Sequence, residues 1–183
     1  MKLRKIILCM FISVLIFNYT NVKAFASTNG STQEEATKTA KVVNTDTKTK
    51  DVKKYTAADL RLLSCIIYCE AGSESYNGKL AVGIVVMNRV RSSRYPNSVK
   101  AVIYQKSQFS PVRSGSFNKA LADYDKGGFT SAKEKECVKA AKAALSGEKY
   151  ITVNGKKKDF SKYLSFSRKI KGYTFKLGHH QFK

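Results

Sequence analysis

From Leu80 to Val90 the chain reads LAVGIVVMNRV, apolar on nearly every face until Asn88 and Arg89. A segment with no polar stripe must be wrapped by other elements, so whatever it forms stands at the centre of the core. Periodicity alone does not separate a central helix from a buried strand, and Ile84-Val85-Val86 is β-branched in the way strands favour. With its flanks, from Asn77-Gly78 onward, the run exceeds a typical strand, which predicts a central helix.

The neighbouring sequence supplies partners for such a helix. Thr56-Ala57-Ala58-Asp59 has the Thr-x-x-acid form of a capping box, and Leu60, Leu63, Ile67 and Glu70 follow at three- and four-residue steps. A first helix over about 57–71 is therefore expected, interrupted by Gly72-Ser73. A loop through Arg94-Tyr95-Pro96-Asn97 ends the central element, Ser98 to Gln105 predicts a short helix, and SQFSPV (107–112) reads as irregular chain. Phe117 to Tyr124 is expected to be helical, stopped by Gly127-Gly128. Ser131 and Glu134 form a second capping box, opening a helix that runs to Leu145. Beyond Tyr150, Asn154-Gly155 between two extended stretches predicts a type I′ hairpin, and KYLSFS and GYTF read as short extended pieces. The expected class is α+β, mostly α-helical, with a small C-terminal β element.

Ahead of this domain, Lys2, Arg4 and Lys5 precede an apolar run from Ile6 to Phe17 and then Ala24-Phe25-Ala26. Residues 1–26 are read as a secretory signal peptide cleaved after Ala26. An uncleaved anchor is the alternative, and the run is shorter than the ~20 apolar residues of a spanning helix. Residues 27–54 hold almost no large apolar side chain and read as a flexible polar linker. Residues 55–183 remain as one domain, without the periodicity of a solenoid.

The formal net charge is +21. A surface so basic calls for an anionic partner. An export signal turns that expectation away from nucleic acid and toward an anionic cell-wall polymer, with contact to a membrane only through an uncleaved signal peptide. Three cysteines survive cleavage, Cys65, Cys69 and Cys137, and an odd number indicates no disulfide framework. The only histidines are the adjacent His179 and His180, too few for a zinc amidase. Cys65 and Cys69 lie late in a helix whose dipole opposes a thiolate, which disfavours a cysteine peptidase. No metal or other cofactor is expected, and the chain is expected to be a monomer.

Glu70 poses the chemical question. It falls at the C-terminal end of an amphipathic helix, where the macrodipole and apolar neighbours both push its pKa upward. An acid that keeps its proton near neutral pH can deliver it to a glycosidic oxygen. On this physics alone, an ordinary solvated glutamate at a frayed helix end is the competing reading.

The phrase YCEAGSESYNGKLAVGIVVMNRV resembles the signature of the spore cortex-lytic, SleB-type cell-wall hydrolases. That pattern runs Glu-Ala-x-x-Glu-x-x-x-Gly-x-x-Ala-Val, then an apolar run, then Asn-Arg-Val. Glu70, Ala71, Glu74, Gly78, Ala81, Val82, Asn88, Arg89 and Val90 match it. The resemblance continues through YPNSVKAVIYQKSQFSPV, YLSF and LGHHQF, with His180 on the family's histidine. It implies a lysozyme- and lytic-transglycosylase-like domain that cleaves peptidoglycan between N-acetylmuramic acid and N-acetylglucosamine, with Glu70 catalytic, in the wall or spore cortex. Better-known members carry a separate N-terminal wall-binding domain, for which this chain has only the linker. Glu74, Tyr76, Asn88 and Arg89 are candidates to orient Glu70 or hold its junction. Gln108 and Phe109 are candidates to line a sugar groove, Tyr163 and Phe166 to stack on sugars, and His180 to bond substrate or Glu70. A hydrolytic course would need a second carboxylate, from Glu74, Asp123, Asp125 or Asp159. The single-acid transglycosylase course, leaving a 1,6-anhydro end, needs none. A non-catalytic cationic wall-binding module is the alternative from a different class.

Overall fold

Two capping boxes set where the longest flanking helices begin. In the computed structural model, which describes residues 55–183, α1 (Ala57–Ala71) starts at Thr56. The Thr56 hydroxyl accepts the Asp59 N–H at 3.1 Å, and the Asp59 carboxylate accepts the Thr56 N–H at 3.0 Å. The same reciprocal pair, Ser131 with Glu134, opens α6 (Ala132–Leu145). The expected signal peptide (1–26) and polar linker (27–54) lie outside the described residues.

The apolar run forms α2 (Tyr76–Arg91), the central helix, with every residue from Gly78 to Val86 buried. A helix satisfies its backbone hydrogen bonds internally and so can be buried on all faces, which overrides the strand preference of Ile84-Val85-Val86. It packs against α1, α6 and α3 (Val99–Ile103). At Gly83 a Cβ would come within 3.0 Å of Ile67 Cδ1 and 3.1 Å of the Ala144 Cβ. The absence of a side chain there is what lets α1, α2 and α6 approach.

Two expectations need correction. The short helix predicted for 98–105 is confined to α3, and SQFSPV is not irregular throughout: its second half opens α4 (Ser110–Ser114), with Pro111 in the first turn, where no backbone N–H is required. Gly115 then takes a left-handed conformation (φ +79°) before α5 (Ser116–Asp125).

The C-terminal third is extended. β1 (Tyr150–Val153) and β2 (Lys156–Asp159) form the predicted hairpin, Asn154 and Gly155 both having positive φ (51° and 73°), as a type I′ turn requires. A second antiparallel sheet places β5 (His180–Phe182) between β3 (Phe166–Ser167) and β4 (Phe175–Leu177). Its apolar side is an aromatic cluster in which Phe160 packs on Tyr163, Phe182 and Phe175 at centroid distances of 4.4, 5.0 and 5.6 Å. The domain is thus mostly helical with small β elements, and among the described residues no helix is long and apolar enough to cross a membrane.

The end of α2 joins the helices to this β region. The Asn88 amide donates to the Phe160 carbonyl at 2.8 Å and to the Tyr163 carbonyl at 2.9 Å, and Arg89 Nε donates to the Leu164 carbonyl at 2.7 Å. Replacing Asn88 by Ala strands two carbonyls, a loss of about 1–3 kcal/mol. Asn88→Ala is expected to melt several degrees lower in a thermal scan; an unchanged melting temperature would remove Asn88 from this role.

Candidate active site

Glu70 is the penultimate residue of α1, half-buried, and no protein donor hydrogen-bonds its carboxylate among the described residues. Burial pushes its pKa above the ordinary carboxylate value, and the charge of Arg89 draws it back only in part. The carbonyl end of α1 acts in the same direction as burial.

Around it opens a cleft with two lobes. One, of about 610 Å³, is bordered by Tyr68, Ser73, Lys119, Asp123 and Lys133. The other, of about 500 Å³, is bordered by Arg89, Gln108, Arg113, Phe166 and His180. Cys69, Glu70 and Arg168 border both lobes, so the carboxylate stands where they meet.

The second lobe brings four of the other residues singled out in the sequence, Arg89, Gln108, Phe166 and His180, together with Glu70. Arg89 is buried, its guanidinium 5.3 Å from the Tyr95 ring centroid and 5.4 Å from that of Phe109, and its Nη1 has no hydrogen-bond partner. His180 is buried in β5 with Nδ1 unpartnered, and the Phe166 ring stands edge-on to it at 5.3 Å. Burial pushes the imidazole pKa below its usual value; Glu74 opposes this, while Arg168 and His179 reinforce it, which keeps His180 neutral near pH 7. Gln108 is exposed at the rim. Phe109 lies behind the lobe as a core residue, against Arg89 and Phe166.

Four other candidates are placed elsewhere. Glu74 accepts from His179 Nδ1 at 2.8 Å and from the His179 backbone N–H at 3.3 Å, outside both lobes. Tyr76, at the start of α2, lies under the Lys139 ammonium. Asn88 has its amide committed to backbone carbonyls, and Tyr163 packs in the aromatic cluster with its hydroxyl 3.3 Å from Thr174 Oγ1. None of the four lines the cleft. Of the possible second carboxylates, Asp125 is paired with Arg61 and Asp159 accepts the Ser161 N–H, while Asp123 borders the larger lobe.

Sequence reasoning passed over Arg113, Arg168, Lys119 and Lys133. Arg113 directly follows SQFSPV and Arg168 follows YLSFS, so both stood one position beyond recognised phrases. Lys79 was passed over as well: it is buried in α2, donating to the Glu74 carbonyl at 2.9 Å and to Glu136 Oε2 at 2.7 Å. Nothing in an amphipathic pattern marks a lysine for the interior. Among the described residues no three His, Cys, Asp or Glu side chains converge as a metal site would require.

A mostly helical domain with a small β wall, carrying one uncompensated carboxyl group at the waist of a basic cleft, has close parallels. The profile of the Cell Wall Hydrolase family matches residues 73–183, and the chain belongs to that family. The match begins just after Glu70. The spore cortex-lytic enzyme of Bacillus subtilis is 42% identical over 57 residues, which are 31% of this chain and 19% of that protein. The spore cortex-lytic enzyme of Bacillus cereus is 38% identical over 61 residues, 33% of this chain and 24% of that one. The chain thus matches a quarter or less of the length of these curated relatives. The crystal structure of the catalytic domain of the Bacillus cereus SleB protein shares the fold, with a TM-score of 0.51 and 24% identity over 71% of this chain and 92% of that one.

Burial pushes the Cys65 thiol up to about 12 and the Cys69 thiol up to about 11. Their sulfurs donate to the Ala120 and Ser116 carbonyls. Alkylation by iodoacetamide at pH 7 is expected to run far more slowly than on free cysteine, and Cys69→Ser to keep full activity. Loss of activity in Cys69→Ser would instead restore a thiol mechanism; inactivation by alkylation alone would not, because Cys69 borders both lobes.

Proposed function

We propose that the chain is a secreted glycosidase that cuts the peptidoglycan backbone between N-acetylmuramic acid and N-acetylglucosamine, with Glu70 as its single acid and base. The observation that carries this reading is Glu70 itself, a carboxyl group with raised pKa and no hydrogen-bond partner among the described residues, at the meeting point of two cleft lobes. Family membership and the spore cortex-lytic relatives support a wall substrate. The 1–26 segment supports export to the wall or spore cortex, the 27–54 stretch a tether, and 55–183 a monomeric catalytic domain.

Chemistry follows from two opposed influences on one group. Burial raises the Glu70 pKa and so favours the protonated form, from which the proton passes to the leaving glycosidic oxygen. The carboxylate that results is stabilised by Arg89, whose charge favours the ionised form. As base, it then takes the proton of the muramic 6-hydroxyl, which closes the 1,6-anhydro ring while the N-acetyl group assists. No second carboxylate enters this lytic transglycosylase course. Asp123 in the larger lobe is the one observation that favours a hydrolytic muramidase instead.

Glu70→Gln is expected to lower kcat about 10²–10⁴-fold, the span of general acid–base catalysis, while binding is kept. Muropeptides released from purified peptidoglycan should carry anhydro ends by mass spectrometry. Reducing ends would select hydrolysis, and full activity of the Gln variant would leave only a wall-binding module. The sign of the pH dependence is set by the protonated acid: activity is present below the Glu70 pKa and lost as pH rises through it. Because Arg89 lowers that pKa, Arg89→Gln should move the alkaline limb of kcat/KM upward; a downward shift would contradict the assignment.

A further inference from the structure

From Lys149 to Lys183 the chain carries ten Lys or Arg and a single acid, Asp159. Two open pockets lie along the 160–164 segment, and none of their bordering residues borders the cleft. The first, of about 380 Å³, is bordered by Arg91, Lys149 and Lys162 with Ser92 and Ser161, and by no acid. The second, of about 350 Å³, is bordered by Lys162, Lys183, Tyr163, Thr174 and Asp159. Lys162 belongs to both, so the two are continuous. Lys158 extends the line, its ammonium 4.5 Å from the Phe175 ring centroid and 5.8 Å from that of Tyr163. Among the described residues the ion pairs are Arg61–Asp125, Lys79–Glu136 and His179–Glu74, so none of these five cations has a carboxylate partner. Arg91 has only a neutral acceptor, Asn88 Oδ1 at 3.4 Å, and desolvation pushes its pKa below the usual value. The neighbouring carboxylates are engaged by backbone: Asp159 by the Ser161 N–H at 2.7 Å, and Glu148 by the Lys149 and Tyr150 N–H groups at 2.8 Å.

We propose that this side of the domain is a docking surface for a phosphodiester polymer, with one phosphate held by Arg91, Lys149 and Lys162 and the next by Lys162 and Lys183. Like charges gathered from α2, β1 and the 160–164 segment repel one another, and a polyanion laid along them removes that repulsion and releases counterions. Four of the five cations are lysines, point charges that meet phosphate without the planar fork that suits a carboxylate. Neither pocket is bordered by an exposed ring on which a base could stack, or by an exposed apolar side chain that could enter a bilayer. The surface therefore fits phosphodiesters joined by small polyols rather than nucleic acid or a membrane. This inference goes beyond the glycosidase reading and does not need it. Polymer and glycan use different residues, so the chain can hold both at once.

The test measures binding of the full chain to synthetic poly(glycerol phosphate) by calorimetry over a range of salt. Comparison probes are polyglutamate of equal charge, single-stranded DNA of equal charge, and vesicles containing anionic lipid. The Arg91→Gln, Lys149→Gln, Lys162→Gln triple variant should bind the phosphate polymer about tenfold or more weakly and show a flatter salt dependence, because fewer phosphates are neutralised. A control triple, Lys100→Gln, Lys106→Gln and Lys126→Gln, removes the same charge at exposed positions that border neither pocket, and should bind as the wild type does. If Arg91→Gln disturbs folding in a thermal scan, Lys162→Gln with Lys183→Gln, both exposed, carries the same expectation with a smaller loss. Equal weakening by the control triple shows charge without a site and overturns the proposal, as does no binding at physiological salt. Polyglutamate, DNA or vesicles bound as tightly as the phosphate polymer overturn the assignment of the partner. Site-dependent polymer binding by a chain that releases no muropeptides supports the surface while the glycosidase reading falls alone.

Discussion

The grip of α2 on the segment 160–164 is the contact on which the cleft depends. Glu70 belongs to the helical part of the molecule and His180 and Phe166 to the β part, and one apolar core runs through both, taking in Phe160 and Phe182 together with the buried faces of the helices. Hydrophobic packing alone is non-directional and tolerates sliding. Three hydrogen bonds from Asn88 and Arg89 to consecutive-region carbonyls fix the register instead. The chain end is drawn into the same arrangement, since the Lys183 carbonyl accepts the Leu164 and Ser165 N–H groups and the Lys183 N–H returns to the Ser165 carbonyl. Arg89 thereby holds one wall in place while its charge acts on the acid beside it.

An acid in so basic a protein might be expected to ionise easily, yet burial decides the outcome. Exposed lysines more than a Debye length from Glu70, about 8 Å at physiological salt, are largely screened from it. The cation that registers at Glu70 is Arg89, which is itself desolvated, so its own charged form is disfavoured by burial and in turn supported by Tyr95 and Glu70. The bulk of the positive charge thus acts at long range on an anionic partner, and one arginine acts on the proton.

Helices α1, α2, α5 and α6 were legible because capping boxes, apolar stripes and glycine stops are local signals, and α2 became central once its length outweighed its β-branched content. The hairpin at Asn154-Gly155 was legible for the same reason, since both residues tolerate positive φ. The turn into α4 was not, because Pro111 reads equally as a break and as a first-turn residue. In the site, helix position alone left Glu70 open between a raised-pKa acid and a solvated glutamate, and the resemblance singled it out; the separation of Arg89 from Asn88 had no signal in the sequence. Adjacent residues on a helix point about 100° apart, so both reach carbonyls of the 160–164 segment but only Arg89 also borders the cleft. Arg113 and Arg168 carried no periodic or motif signal; only the meeting of α4 with β3 brings them to one lobe.

Glu74 shows how a residue that lines no lobe still shapes the cleft. Its carboxylate reaches across to the turn between β4 and β5, taking the His179 backbone N–H and side chain. At Gly178 (φ +54°) a side chain would be strained and its Cβ would press on the Glu74 carboxylate, so glycine suits the turn that closes there. Behind Glu74, buried Lys79 binds its backbone carbonyl and ties the α1–α2 junction to Glu136 on α6. The chain that follows Glu70 and the chain that precedes His180 are therefore fastened to each other and to the helical core. With the α2 grip as well, the segments that carry the acid and the histidine are held by contacts from more than one element, the fixed geometry that positioning a substrate against a proton donor requires.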